Sequence, residues 1–149
     1  MASAARTVHG IDVARVEEAV RAAERRTSGE VRVAVARFYF WGNVEVAAGH
    51  AFDRLRVAHT RRRNGLLIFV APRRHCFAVL GDVAIHQQVA PTFWRRVADA
   101  MTAEFRRGDL TAGLVRAVGV VAEELANPFP PDPGEGINEL SDAVALPRR

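Results

Sequence analysis

Apolar residues recur at two different periods along this chain, and each change of period marks an element. Asp12 precedes Val13, Val16, Val20 and Ala23. That three-and-four spacing predicts an amphipathic helix with Asp12 as its N-cap. The helix is expected to stop at Thr27-Ser28-Gly29, with Gly29 as the left-handed residue after its end. Residues 30–37 alternate, with Val31, Val33 and Val35 on one face and Ala34 and Ala36 on the other, so they read as a strand. An aromatic loop, 38–43, follows. Residues 44–58 return to the helical period, with Ala48, Ala51, Phe52, Leu55 and Ala58 as the buried stripe. Leu66, Leu67, Ile68, Phe69 and Val70 are apolar on both faces, as in a central strand covered by helices. This strand–helix–strand unit should be parallel, with a right-handed crossover.

The second half adds a hairpin and two long helices. Pro72-Arg73-Arg74-His75 reads as a short turn, and residues 77–80 as an antiparallel partner strand ended by Gly81-Asp82. A third long helix is expected over 91–106, with Pro91 in its first turn and Trp94, Val97, Met101 and Phe105 as its stripe. Gly108 ends it. Asp109 caps a fourth helix lined by Leu110, Leu114, Val118, Val121 and Leu125. The order α-β-α-β-β-α-α predicts an α/β fold, a three-layer α/β/α sandwich whose helices flank a small mixed sheet of three to four strands. That domain covers 11–126. Residues 127–149 hold five of the seven prolines, together with Gly134 and Gly136, and read as a mostly irregular tail. Ile137 and Leu140 are the positions in it suited to docking on the domain.

Composition narrows the setting more than the function. At 149 residues, 49% hydrophobic and 26% charged, the chain suits one soluble globular domain. Its longest apolar stretch, 66–72, is far below the roughly 20 residues of a membrane-spanning helix. The first residues lack the apolar run of a signal peptide. The single cysteine, Cys76, excludes an intramolecular disulfide and a cysteine-based zinc cage. In the hairpin it reads as a small packing residue. A cytoplasmic protein with no membrane partner is the expectation. The net charge of +4 rests entirely on arginine, since no lysine occurs. The clusters Arg61–Arg63 and Arg73–Arg74 fall roughly 30 Å apart, at about 3.3 Å per strand residue. They form no continuous phosphate-tracking groove, so a nucleic-acid partner is not expected.

Phosphate-loop, nucleophile-elbow, zinc-helix and dinucleotide-binding signatures are all missing. The five histidines, at 9, 50, 59, 75 and 86, do not pair at metal-ligand spacing on a helix face. Topology supplies a candidate instead. The two parallel strands begin near Glu30 and Asn64, and the hairpin strand ends at Asp82. These three share one edge of the sheet, with His59 and Arg61 nearby. Two carboxylates and an amide are hard oxygen donors suited to Ca²⁺ or Mg²⁺. His59 and Arg61 would then contact a phosphate or another anion. The alternative is structural: Glu30 pairs with an arginine, and Asp82 caps the turn into 83–89. Asp109 is also expected to be structural, accepting from the backbone N–H of Thr111 or Ala112. Tyr39 and Trp41, in the aromatic loop, either pack on the tail or contact a protein partner.

Several segments carry a resemblance over about residues 16–141. They are RRTSGEVRVAV at 25–35, HTRRRNGLLIFVAPRRHCFAVLGDVAIHQQV at 59–89, FWRRVADAMTAEFRRGDLTAGLVRAV at 93–118 and GINEL at 136–140. In combination they resemble the TPM domain family, and most closely its short bacterial members without a membrane anchor. The resemblance implies an α/β/α sandwich around a mixed sheet. It also implies two functional directions, because a plant thylakoid-lumen member is linked to acid phosphatase activity with bound calcium, whereas other members are accessory proteins. Arg74 stands where relatives often carry an acidic residue, and residues 38–43 are aromatic where relatives tend to be acidic. Both departures remove candidate oxygen ligands. Two readings follow: a non-catalytic cytoplasmic binding or accessory module, or a Ca²⁺- or Mg²⁺-dependent phosphatase-like hydrolase.

Overall fold

The all-apolar run in the middle of the chain becomes the centre of the sheet. The structure, a computed structural model, describes residues 7–36, 42–132 and 140–146. Strand β4 (Gly65–Ala71) is buried at every residue. It pairs in parallel with β3 (Glu30–Val35) and antiparallel with β5 (Cys76–Gly81), giving the order β3-β4-β5. Alternation along β4 divides its side chains between two cores. Leu66, Ile68 and Val70 face one, which α1 (Val13–Glu24), α4 (Pro91–Phe105) and α5 (Leu110–Leu125) cover. Leu67 and Phe69 face the other, under α2 (Val44–Arg54). Removing each such side chain from water contributes about 1.5–3 kcal/mol, so β4 anchors both layers. This is the mixed three-layer α/β fold that the residue pattern predicts.

Helix ends depart from the pattern for identifiable reasons. Asp12 caps α1 as expected, accepting from Arg15 N at 3.2 Å, and Val13, Val16, Val20 and Ala23 are its buried residues. But α1 stops at Glu24, with Arg25 still right-handed. Gly29 is not the left-handed residue after it, since it is absent from the positive-φ positions. Its role is close approach: a Cβ there would lie 2.9 Å from Leu125 Cδ1. Helix α2 ends at Arg54 rather than near residue 58, because Arg56 turns left-handed at φ 57°. In α4 the fully buried aromatic is Phe93, at 1% exposure, not Trp94. The true stripe is Phe93, Val97, Ala100 and Met101, and Trp94 sits beside it over Gly81. Where α4 meets α5, Gly113 leaves room for the Phe105 ring, which a Cβ would meet at 2.5 Å.

Two short elements escape the periodicity. Strands β1 (Thr7–Val8) and β2 (Ile11–Asp12) form a hairpin through His9 and Gly10, both at positive φ. Helix α3 (Val83–Gln88) occupies what reads as a turn, with Asp82 as its cap. The C-terminal segment is the larger surprise. Residues 140–146 lie along β3, where Val35 N donates to Ala145 O (3.0 Å) and Ala145 N donates to Val33 O (2.9 Å). Leu140 and Val144 are buried, and Val144 N also donates to Glu17 Oε2 on α1 (2.9 Å). Leu140 docks as expected, while Ile137 lies outside the described residues.

Candidate functional site

Register brings the sequence-predicted donors together at one end of the sheet. Glu30 N donates to Asn64 O at 3.1 Å, and Asp82 N donates to Gly65 O at 2.9 Å. The three donors are buried, at 7% exposure for Glu30, 1% for Asn64 and 5% for Asp82. A buried carboxylate needs a cation or several donors. Asp82 has both. Arg63 Nε donates to Oδ2 at 2.7 Å and Arg63 Nη2 donates to Oδ1 at 3.0 Å, a two-pronged ion pair. Oδ1 also accepts from Val83 N at 2.7 Å, at the first turn of α3. In return, the carboxylate pushes the Arg63 guanidinium pKa further up, first through the hydrogen bond and then through its charge.

The remaining groups are also engaged. Asn64 Nδ2 donates to Ser28 O (3.2 Å), and Asn64 N donates to Thr60 Oγ1 (3.2 Å). Glu30 has an interaction of its own. His59 and Arg61 are exposed in the loop before β4, and Arg61 is engaged there. Tyr39 and Trp41 lie outside the described residues. Asp109 caps α5 by accepting from Ala112 N (2.9 Å), one of the two partners expected for it. It sits at the opposite end of the sheet: Phe105, which precedes it, packs on Phe77 at the start of β5, whereas Trp94 lies by Gly81 at the other end.

This donor set suits a guanidinium better than a divalent cation. Oδ1 of Asp82 already takes two donors, and a +1 group stands 2.7 Å from Oδ2. A cation coordinated by Asp82 would have to displace Arg63 or bear its repulsion. Among the described residues, no group of three or more His, Cys, Asp or Glu side chains is placed to hold a metal. The residue the sequence reading passes over is therefore Arg63, hidden within the run Arg61-Arg62-Arg63. Hairpin register was the available signal. Leu66 opposes Gly81, so counting back sets Arg63 opposite Ala84, next to Asp82. Ala84 N indeed donates to Arg63 O at 3.1 Å.

Two other features were not anticipated. Arg32, in the middle of β3, holds a buried Nε with no hydrogen-bond partner among the described residues. Burial sets its pKa below the ordinary arginine value. Beside β5, a groove of about 400 Å³ opens, lined by α2 residues Val46, Gly49, His50, Phe52 and Asp53 together with Leu80 and Gly81. No helix among the described residues is long and apolar enough to cross a membrane.

Comparison with known proteins places this arrangement. A family model, the TPM domain, matches residues 4–124. The solved structure of the BA42 protein from the psychrophilic bacterium Bizionia argentinensis superposes with a TM-score of 0.84 at 30% identity, covering 91% of this chain and 92% of that one. The N-terminal domain of a P. gingivalis protein shares the fold at a TM-score of 0.63 and 18% identity, over 75% of this chain and 72% of that one. No curated protein matches the sequence.

Proposed function

The chain belongs to the TPM domain family, and from that premise we propose that it is a non-catalytic member, a cytoplasmic binding or accessory module for a protein partner. One observation carries the reading: Asp82 is consumed by structure. Its two oxygens hold Arg63 and cap α3, so Asp82 is not a free partner for Glu30 in binding a cation or positioning a water. Tyr39 and Trp41 are proposed as contacts for the partner.

A Ca²⁺- or Mg²⁺-dependent phosphatase is the second reading, favoured by the gathering of Glu30, Asn64 and Asp82 at one sheet end, with His59 and Arg61 in the loop beside them as anion contacts. One assay separates the two. Hydrolysis of p-nitrophenyl phosphate is expected to stay at the buffer rate with Ca²⁺, with Mg²⁺ and with neither, and Asp82→Asn is expected to change nothing. Cation-dependent turnover that disappears in a folded Asp82→Asn protein would install the phosphatase reading in its place. For the partner, capture that survives Tyr39→Ser with Trp41→Ser would remove the aromatic loop from the account.

A further inference from the structure

The two edges of the sheet are treated differently. Along β3, residues 140–146 supply backbone partners, so the protein closes that edge with its own chain. Along β5 no described residue does so. The bond from Asp82 N to Gly65 O sets the antiparallel alternation. Leu80, Ala78 and Cys76 then exchange bonds with β4, while Gly81, Val79 and Phe77 turn their N–H and C=O groups outward. None of these three makes another backbone bond among the described residues. Cys76–Gly81 also holds no charged residue, no proline and no bulge, the usual protections of an edge strand. Two such edges paired antiparallel about a twofold axis close each other, and the joined sheet then ends on both sides at the segments along β3.

The surroundings of the edge are complementary to themselves under that twofold. Helix α2 packs on β5 more than on β4 and runs in the same direction as β5. Arg74, before the strand, donates to Gly42 O, before the helix (2.6 Å), and Asp53, near the helix end, lines the groove with Leu80 and Gly81 at the strand end. At about 1.5 Å per helix residue and about 3.3 Å per strand residue, Gly49 and His50 stand level with Val79. A Cβ at Gly49 would meet nothing within 4 Å. Paired strands about 4.8 Å apart bring the two α2 helices to the roughly 8–10 Å of packed helices, with Gly49 where they cross. Val46, 58% exposed, lines the groove between them, and Val83, 51% exposed, falls opposite His75 of the other copy. Charge matches as well. Arg73 and Asp53 are exposed, and neither has an ion pair among the described residues. Antiparallel pairing carries Arg73 of each copy to the end where Asp53 of the other lies. Glu45, on the same flank of α2 as Asp53, comes to that end too, so Arg73 meets carboxylates from both copies there. Arg63 is already neutralised by Asp82 and adds no like charge.

We propose that the β5 edge is an interface between two copies of this chain, with β5 antiparallel to β5 about a twofold axis at Val79 and α2 crossing α2 at Gly49. Backbone groups of Phe77, Val79 and Gly81 supply about six hydrogen bonds across the axis. Arg73 of each copy meets Asp53 of the other, which fixes the register. The interface is isologous, so assembly stops at two chains. A foreign strand satisfies the same backbone groups, but the twice-repeated charge match and the gap at Gly49 belong to a copy that brings its own helix. The inference goes beyond the binding-module reading and does not depend on it, since Tyr39, Trp41 and Asp82 take no part.

The test follows the mass and the amide exchange of the full chain from about 1 μM to about 1 mM. Sedimentation equilibrium is expected to show the mass rising from 16.3 kDa to twice that. The same rise should slow hydrogen exchange at Phe77, Val79 and Gly81, but not at Ala78, whose N–H already bonds β4. Gly49→Gln, which has room in the single chain, should weaken the dimer about tenfold or more while the circular dichroism spectrum stays native. Arg73→Asp and Asp53→Arg should each weaken it as much, and the two together in one chain should restore it to within about threefold. Val79→Pro removes an outward N–H at the axis without touching the β4 ladder and should leave a folded monomer. A chain that stays at 16.3 kDa at about 1 mM would overturn the proposal. So would a dimer indifferent to Gly49→Gln, a charge-swapped chain that fails to regain it, or protection centred elsewhere. Protection of these amides only on adding another protein, in a chain that stays monomeric, would give the edge to a foreign strand and overturn it equally.

Discussion

Asp82 and Asp109 are both helix N-caps, and the difference between them shows what a single residue can and cannot reveal. Asp109 is exposed, and its carboxylate accepts from Ala112 N. Replacing it with Ala should cost about 0.5–2 kcal/mol. Urea unfolding measures this, and unchanged amide shifts around Arg63 would confirm that the loss is local. Its role was legible because a cap depends on its next three residues. Asp82 differs because its charge partner, Arg63, lies 19 residues away. Which of three consecutive arginines reaches it depends on strand register, which composition does not encode. Gly65 is a sharper case. A Cβ there would run into the Val57 backbone carbonyl, where the α2–β4 connection crosses the start of the strand. Backbone cannot swing aside like a flexible side chain, so Gly65→Ala should cost toward the upper end of about 1–3 kcal/mol. A midpoint equal to the parent's in urea would show that the crossing is loose.

At the scale of elements, patterns with many repeats were legible and short ones were not. Helix α5 shows more than four turns of apolar spacing over its 16 residues, and its buried residues fall where the period sets them, from Leu114 to Leu125. Helix α3 has six residues, too few for a period, and it exists because Asp82 and the Arg63 carbonyl organise its first turn. In α4 two adjacent aromatics, Phe93 and Trp94, both satisfy the spacing. Packing chooses Phe93 for the core, and Trp94 then lies over Gly81, stacked on His86 at a ring-centroid distance of 4.7 Å. The C-terminal segment has neither period, yet Leu140, Val144 and Ala145 tie it to three different elements. Leu140→Ala should therefore cost about 2 kcal/mol, the low end for a buried leucine at the margin of a core. It should also speed hydrogen exchange at Val35, whose N–H donates to Ala145 O. Exchange at Val35 as slow as in the parent would mean that the bridge, not Leu140, holds the segment.

For the whole molecule, the sandwich was legible because both faces of 66–70 are apolar and only helices on both sides can bury them. The asymmetry of its edges was not, since an edge is defined by what fails to pair. The closed edge carries a pH dependence. Asp142 lies within the closing segment, and burial raises its pKa above 3.8, with Arg21 opposing and Glu17 adding to the rise. A raised carboxyl pKa means the folded chain holds this proton more tightly than the unfolded one. The contribution of the neutral acid is fully present below about pH 3.8 and is lost as the pH climbs through the raised value. At neutral pH, therefore, the charged Asp142 works against docking of the segment. Asp142→Asn, neutral throughout, should melt higher than the parent near pH 7. The two melting temperatures should converge as the pH falls below that of an ordinary aspartate. The residue is only partly buried, so the gap will be small, and its sign and its disappearance in acid are the informative quantities. A parent that melts above Asp142→Asn at neutral pH would mean that attraction to Arg21, rather than burial, governs this side chain, and that the charge helps to hold the edge closed.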